Sequence, residues 1–107
     1  MLVLFDQGTP VGLRSFLKAH TVHTADQRGW DALENGELLK AAEDAGFEVF
    51  VTPDKNIRYQ QNLDLRTIAI VVLGNPQWPV LRKHAERVVG AVNVATPGSY
   101  FEVEIPE

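Results

Sequence analysis

Apolar residues fall into two patterns along this chain. One is the short unbroken run: Leu2–Phe5, then Val49-Phe50-Val51, then the stretch from Thr67 to Leu73. A run of this kind reads as a parallel strand covered on both faces, because a half-buried strand alternates instead. The other pattern repeats every three or four residues, the mark of one helix face. Leu13, Phe16 and Leu17 predict a helix over 10–19, with Thr9 as N-cap and Pro10 at its first position. Leu38, Leu39, Ala42 and Ala45 stripe a second helix over 35–45, with Asn35 as N-cap and Gly46 just past its end. Leu81, Ala85, Val88, Val89 and Val92 face inward from a long third helix over 78–92.

The remaining segments complete the order. Thr21–Thr24 is a short β-branched run and reads as a second strand, followed by a loop or helical turn to Trp30. Residues 48–52 form the third strand and 67–73 a fourth, interior one. Lys55 to Leu65 lacks periodicity and reads as a loop with a turn of helix. Gly74-Asn75-Pro76 and Pro97-Gly98 punctuate the chain. From Ser99 to Ile105, Phe101, Val103 and Ile105 alternate with Glu102 and Glu104, which suits an edge strand with one wet face, in an antiparallel setting. Strands alternating with helices predict one α/β domain over 1–107: three layers, α/β/α, around a mainly parallel sheet of four or five strands.

Composition narrows the chemistry. The chain has 107 residues, 45% hydrophobic and 22% charged, with a formal net charge of −4. That is ordinary globular composition and no general magnet for nucleic acid, so a basic track must be local. Arg14, Lys18, Lys55, Arg58 and Arg66 are its candidates. Cysteine is absent, which removes disulfides, thiolate zinc sites and a cysteine nucleophile, and fits a cytoplasmic setting. No apolar run approaches the ~20 residues of a membrane helix, and no cleaved signal is expected. Gly8 and Gly12 do not make a phosphate loop, and His20, His23 and His84 lack ligand spacing.

Two of the apolar runs end in an aspartate at a turn. Leu2–Phe5 is followed by Asp6, and Val49–Pro53 by Asp54. Ligands of open α/β sheets bind beyond the carboxyl ends of the strands. Two carboxylates delivered there could share a hard cation, magnesium or manganese. Aspartate is also simply a good turn residue, and both readings stand. Glu34 and Glu37 flank a helix start, where the dipole alone favours acids, yet either could aim at the same cleft as a further metal ligand. Directly after Asp54 come Lys55, Asn56, Arg58, Tyr59, Gln60, Gln61 and Asn62: phosphate donors, amides and one aromatic. Such residues bind phosphates, read base edges and stack on unpaired bases.

The segments VLFDQGTPVGLRSFL, NGELLKAAEDAGFEVFVTPDKN and TIAIVVL resemble the PIN-like domains, in particular a short prokaryotic branch regarded as nucleases or toxins. In that branch a strand leads to Asp, a short polar stretch and Pro, and a helix leads into a strand ending Val-Thr-x-Asp. The resemblance covers most of the chain to about Leu73. It implies strand order 3-2-1-4-5, the numbering open to change by the short second strand. It implies a magnesium- or manganese-dependent ribonuclease, the toxin of a toxin–antitoxin pair. Asp6 and Asp54 would then be catalytic metal ligands, with Glu37 or Glu34 assisting, and Lys55, Asn56, Arg58, Tyr59 and Arg14 would hold RNA. Its implied partners are RNA, a small antitoxin and a second copy of the chain, with no membrane.

Three positions depart from the branch. Gln7, Asn35 and Asn56 stand where it commonly carries acids. Amides can ligate a hard cation but bring no charge. Two expectations therefore stand side by side: a metal-dependent ribonuclease, or a PIN-like binding or regulatory module whose metal site has decayed.

Overall fold

Val3, Leu4 and Phe5 are all fully buried, as a strand covered on both faces requires. They belong to β1 (Leu2–Phe5), which pairs in parallel with β2 (Thr21–Thr24) on one side and β3 (Val49–Thr52) on the other. β3 pairs with β4 (Ala69–Leu73), and β4 with β5 (Tyr100–Val103), again in parallel. The computed structural model describes residues 1–60 and 62–107, without the side chain of Gln60. Its five-stranded sheet has the order β2-β1-β3-β4-β5. The order 3-2-1-4-5 implied by the resemblance, its numbering left open, differs from this one in that no strand lies outside β2 among the described residues.

The alternation of side chains divides the core in two. Val3, Phe5, Val49, Val51, Val71 and Leu73 face one layer, built by a 3-10 helix (Val11–Phe16), α3 (Trp78–Leu81) and α4 (Ala85–Asn93). Leu4, Phe50, Ile70 and Val72 face the other, built by α1 (Asn35–Asp44) and α2 (Ile57–Gln60). Each fully buried aliphatic or Phe side chain contributes about 1.5–3 kcal/mol, so both layers are needed to offset chain entropy. Among the described residues no helix is long and apolar enough to cross a membrane.

Four expectations are corrected here. The first predicted helix is 3-10 and shorter than 10–19. Gly12 and Ser15 are weak helix formers, and the Ser15 hydroxyl donates to the Gly12 carbonyl, competing with the α pattern. Thr9 does not cap it; its hydroxyl donates to the Val51 carbonyl at 3.1 Å and ties the loop after β1 to β3. The third predicted helix is broken into α3, a 3-10 turn (Arg82–His84) and α4, with His84 in a non-helical conformation at the break. The last strand is parallel. α4 carries the chain back across the sheet, and the turn at Gly98 donates to the Thr67 carbonyl, so β5 starts from the same edge as β4.

Gly12 has a packing reason. A Cβ built on it would lie 2.7 Å from the Trp78 ring, which leaves no room for any side chain. We expect Gly12→Ala to cost about 1–3 kcal/mol of overpacking strain in urea unfolding, and Trp78→Leu in the same chain to recover part of it. A Gly12→Ala protein as stable as the parent would show that the 3-10 helix is not anchored on Trp78.

Candidate metal centre at the strand ends

From β1 the chain crosses to β2 on one side; from β3 it crosses to β4 on the other. The carboxyl ends of β1 and β3 therefore flank the point where the winding reverses, the place in an open α/β sheet where a crevice opens. Asp6 follows β1 there and Asp54 follows β3. The Asp6 amide donates to the Val51 carbonyl at 2.9 Å, continuing the ladder by one step. A turn closes from the Thr9 amide to the Asp6 carbonyl, with Gly8 at φ +85 against Pro53, a conformation that L side chains rarely adopt.

Thr52, fully buried, links the Asp6 carboxylate to the backbone of Asp54. Its hydroxyl donates to Asp6 Oδ2 at 2.7 Å and accepts from the Asp54 amide at 3.1 Å. Asp6 Oδ1 accepts from the Gln7 amide at 2.8 Å. Asp54 Oδ1 accepts from the Asn56 amide and Oδ2 from the Asn35 side chain, both at 2.9 Å. Asn35 is thus not the helix cap expected of it: the N-cap is Glu34, with no side-chain cap bond, and the Asn35 amide instead fastens the first turn of α1 to Asp54.

The electrostatics of this cluster are one-sided. Burial pushes the Asp6 carboxyl up; hydrogen bonds from Thr52 and Gln7 oppose that, and the Asp54 charge adds to it, leaving it above its ordinary value. Neither Asp6 nor Asp54 joins an ion pair among the described residues. Every donor to them is neutral, so two carboxylates stand together with no counter-charge. Each oxygen accepts one hydrogen bond and keeps a further lone pair. That donor set suits one hard divalent cation, which prefers oxygen ligands and would supply the missing charge.

The acids expected to assist are placed less firmly. Asp6, Gln7, Leu33, Glu34, Asn35, Gly36 and Glu37 line an open cleft of about 620 Å³. Glu34 and Glu37 therefore share a cleft with Asp6, both on exposed backbone at the start of α1. Among the described residues, however, no three Asp, Glu, His or Cys side chains converge closely enough to hold an ion.

The expected RNA-binding residues divide. Asn56 is beside Asp54 through its amide. Arg58 and Tyr59 lie toward β5: the Arg58 guanidinium sits 4.7 Å from the Tyr59 ring centre and 5.7 Å from that of Tyr100, and pairs with Glu102 at 3.7 Å. Lys55 borders a recess with Glu102 and Glu104 on that same side. Arg14 lies on the opposite side, bonded to Gln27 near the end of β2. Gln61 and the side chain of Gln60 lie outside the described residues.

Sequence reasoning passed over two residues. Thr52 sits two positions before Asp54, hence on the same strand face, and that spacing was the available signal. Asp26 follows β2 as Asp6 follows β1, and shares with Asp6 a second recess, lined also by Thr24 and Val11. Comparison with protein-family profiles, curated proteins and solved structures finds no match.

The raised Asp6 pKa sets a pH dependence. Its folded value lies above its ordinary 3.8, so the folded chain holds that proton more tightly than the unfolded one. The resulting penalty is absent at pH below both values, grows as pH rises between them, and is complete at neutral pH. Without added metal, Asp6→Asn should therefore melt at a higher temperature than the parent at pH 7. The gap should close as pH falls toward 4. A variant that melts lower at pH 7 would mean that Asp6 is a stabilising turn residue, not a strained carboxylate.

Proposed function

We propose that this chain is a divalent-metal-dependent ribonuclease with a PIN-like site, acting in the cytoplasm as the toxin of a toxin–antitoxin pair. The observation that carries the reading is that Asp6 and Asp54, neither with a cationic partner, follow adjacent strands where the sheet's winding reverses, the Thr52 hydroxyl tying the Asp6 carboxylate to the Asp54 backbone amide. Magnesium or manganese fits there. When bound, such an ion makes water a stronger nucleophile and offsets the charge that builds on a phosphate. Asp6 and Asp54 would hold it, with Glu34 or Glu37 able to reach it from the shared cleft. The residues of the chain do the rest of the positioning. Thr52 orients Asp6, and Asn35 and the Asn56 amide orient Asp54, so each carboxylate oxygen keeps one lone pair for a ligand.

A non-catalytic RNA-binding module on the same scaffold is the second reading. It is favoured by one observation: the described residues bring no third acid to the pair. Two carboxylates neutralise a single divalent charge, and the transition state of phosphodiester cleavage adds further negative charge to be offset.

The two readings separate on one substitution. Under the nuclease reading, manganese or magnesium binds the parent by calorimetry and raises its melting temperature, and single-stranded RNA is cleaved slowly. Asp6→Asn keeps size and an oxygen ligand but removes one charge; it should abolish both the metal-induced rise in melting temperature and the cleavage, by at least about a hundredfold. Metal binding without cleavage by the parent would overturn the ribonuclease activity. No metal binding and no cleavage would dismiss the enzyme.

A further inference from the structure

The cleft beside α1 does not end at Asp6. Asp6 and Gln7 also line a recess of about 250 Å³ on the β2 side, bordered by Gly8, Val11, Thr24 and Asp26. The two spaces adjoin at those two residues, the second lying over the carboxyl ends of β1 and β2.

Arg14 lines neither space but is tied through Gln27 to Thr24, which borders the second. Its Nη2 donates to Gln27 Oε1 at 2.8 Å, and the same oxygen accepts from the Thr24 amide at 3.0 Å. The Gln27 amide donates in return to Thr24 Oγ1 at 3.1 Å. The guanidinium is therefore tied to the last residue of β2, which is level with Phe5, the residue before Asp6. Neighbouring strands stand about 4.8 Å apart, so Arg14 is held within a few such spacings of the carboxylate pair.

Its own charge is unanswered. Arg14 is half-buried, and its Nε is enclosed without a hydrogen-bond partner among the described residues. Arg58 and Arg66 pair with Glu102 and Glu43, whereas Arg14 joins no ion pair among the described residues. A cation withdrawn from water ordinarily has an anionic partner. Here its one hydrogen bond to a side chain goes to a neutral amide, and with Nε enclosed the Nη groups of the planar fork are the donors left for an outside acceptor. Phosphate suits that fork, because paired N–H donors can grip two of its oxygens.

We propose that Arg14 is the phosphate-binding residue of the substrate path, so that single-stranded RNA runs from the Asp6–Asp54 pair toward β2 and not toward β5. The inference rests on the ribonuclease reading for the identity of the ligand. It also assigns Gln27 as the residue that positions Arg14. Arg58 is the weaker candidate because Glu102 already answers its charge.

The test is fluorescence anisotropy of a labelled 2′-O-methyl single-stranded oligonucleotide, which is not cleaved, over a series of salt concentrations. Arg14→Gln should weaken binding roughly tenfold at low salt, as loss of a charged hydrogen bond does. It should also flatten the salt dependence by about 0.7 in log–log slope, the value of one phosphate on a single strand. Arg14→Lys should restore the slope but not the full affinity. Arg58→Gln should leave the slope unchanged. If Arg14→Gln does not fold, Gln27→Ala at its exposed position carries the test, with a smaller loss of affinity expected. Parent-like affinity and slope in Arg14→Gln, or in Gln27→Ala where that variant carries the test, overturn the proposal while the ribonuclease reading stands. Loss of the slope in Arg58→Gln also overturns it. A parent protein that binds no oligonucleotide but cleaves RNA overturns the Arg14 path alone; one that neither binds nor cleaves overturns both.

Discussion

Parallel pairing of β1 with β3 sets Val3, Leu4 and Phe5 level with Val49, Phe50 and Val51, and the geometry of the cleft depends on that register. With it, the Asp6 amide meets the Val51 carbonyl and the Thr52 hydroxyl meets the Asp6 carboxylate. A slip of one residue would turn Thr52 to the opposite face and separate the two aspartates. The register is guarded by burial: every residue of β3 is buried, and a shift would move Phe50 out of the layer that contains Leu39 and Ile57. Losing such a side chain from its place costs about 3–5 kcal/mol, far more than any single contact at the site. The core therefore holds the acidic pair together against its own repulsion.

α1 is the second anchor, tied down at both ends. At its start Asn35 donates to Asp54. At its end Glu43 accepts from the Arg66 guanidinium, from the Thr67 amide and hydroxyl and from the Ile68 amide. Burial pushes the Glu43 carboxyl up, but these donors outweigh it and hold the group below its ordinary value. A carboxylate with satisfied partners at one end of the helix and a strained one beside the other shows the division of labour in this fold. Glu43 serves the packing of α1 against the entry to β4. Asp6 is hydrogen-bonded only by neutral groups, Thr52 and Gln7, and has no cationic partner among the described residues.

Acidic and basic groups are separated along the carboxyl edge. Asp26, Asp6 and Asp54 follow β2, β1 and β3 in spatial order, while the Arg58 cluster with Tyr59, Tyr100 and Glu102 stands off toward β5. Within that cluster the Tyr100 phenol is pushed up to about 12, first by burial and then by its hydrogen bond to Glu102. Its charges are answered internally, which is what separates it from Arg14 on the other flank.

Much of this was legible in the residues. Unbroken apolar runs identify β1, β3 and β4 because strands buried on both faces are almost wholly apolar, Thr52 at the end of β3 being the exception, and the helical stripe of α1 is equally plain. Asp6 and Asp54 could be read as strand-end carboxylates for the same reason. Other features depended on tertiary structure. The spatial order of strands, with no strand beyond β2 among the described residues, is decided by which crossover packs on which face, and local pattern does not carry that. The direction of β5 followed from where α4 returns the chain, not from its alternating residues. Asn35 reads as a helix cap in sequence, but Asp54 offers its amide a charged acceptor, and the stronger bond wins. Local sequence determined which segments become strands and helices, since burial periodicity is written residue by residue. Only the folded chain decided which carboxylates meet and which cations are left unanswered, because those depend on groups distant in sequence brought within a few ångströms.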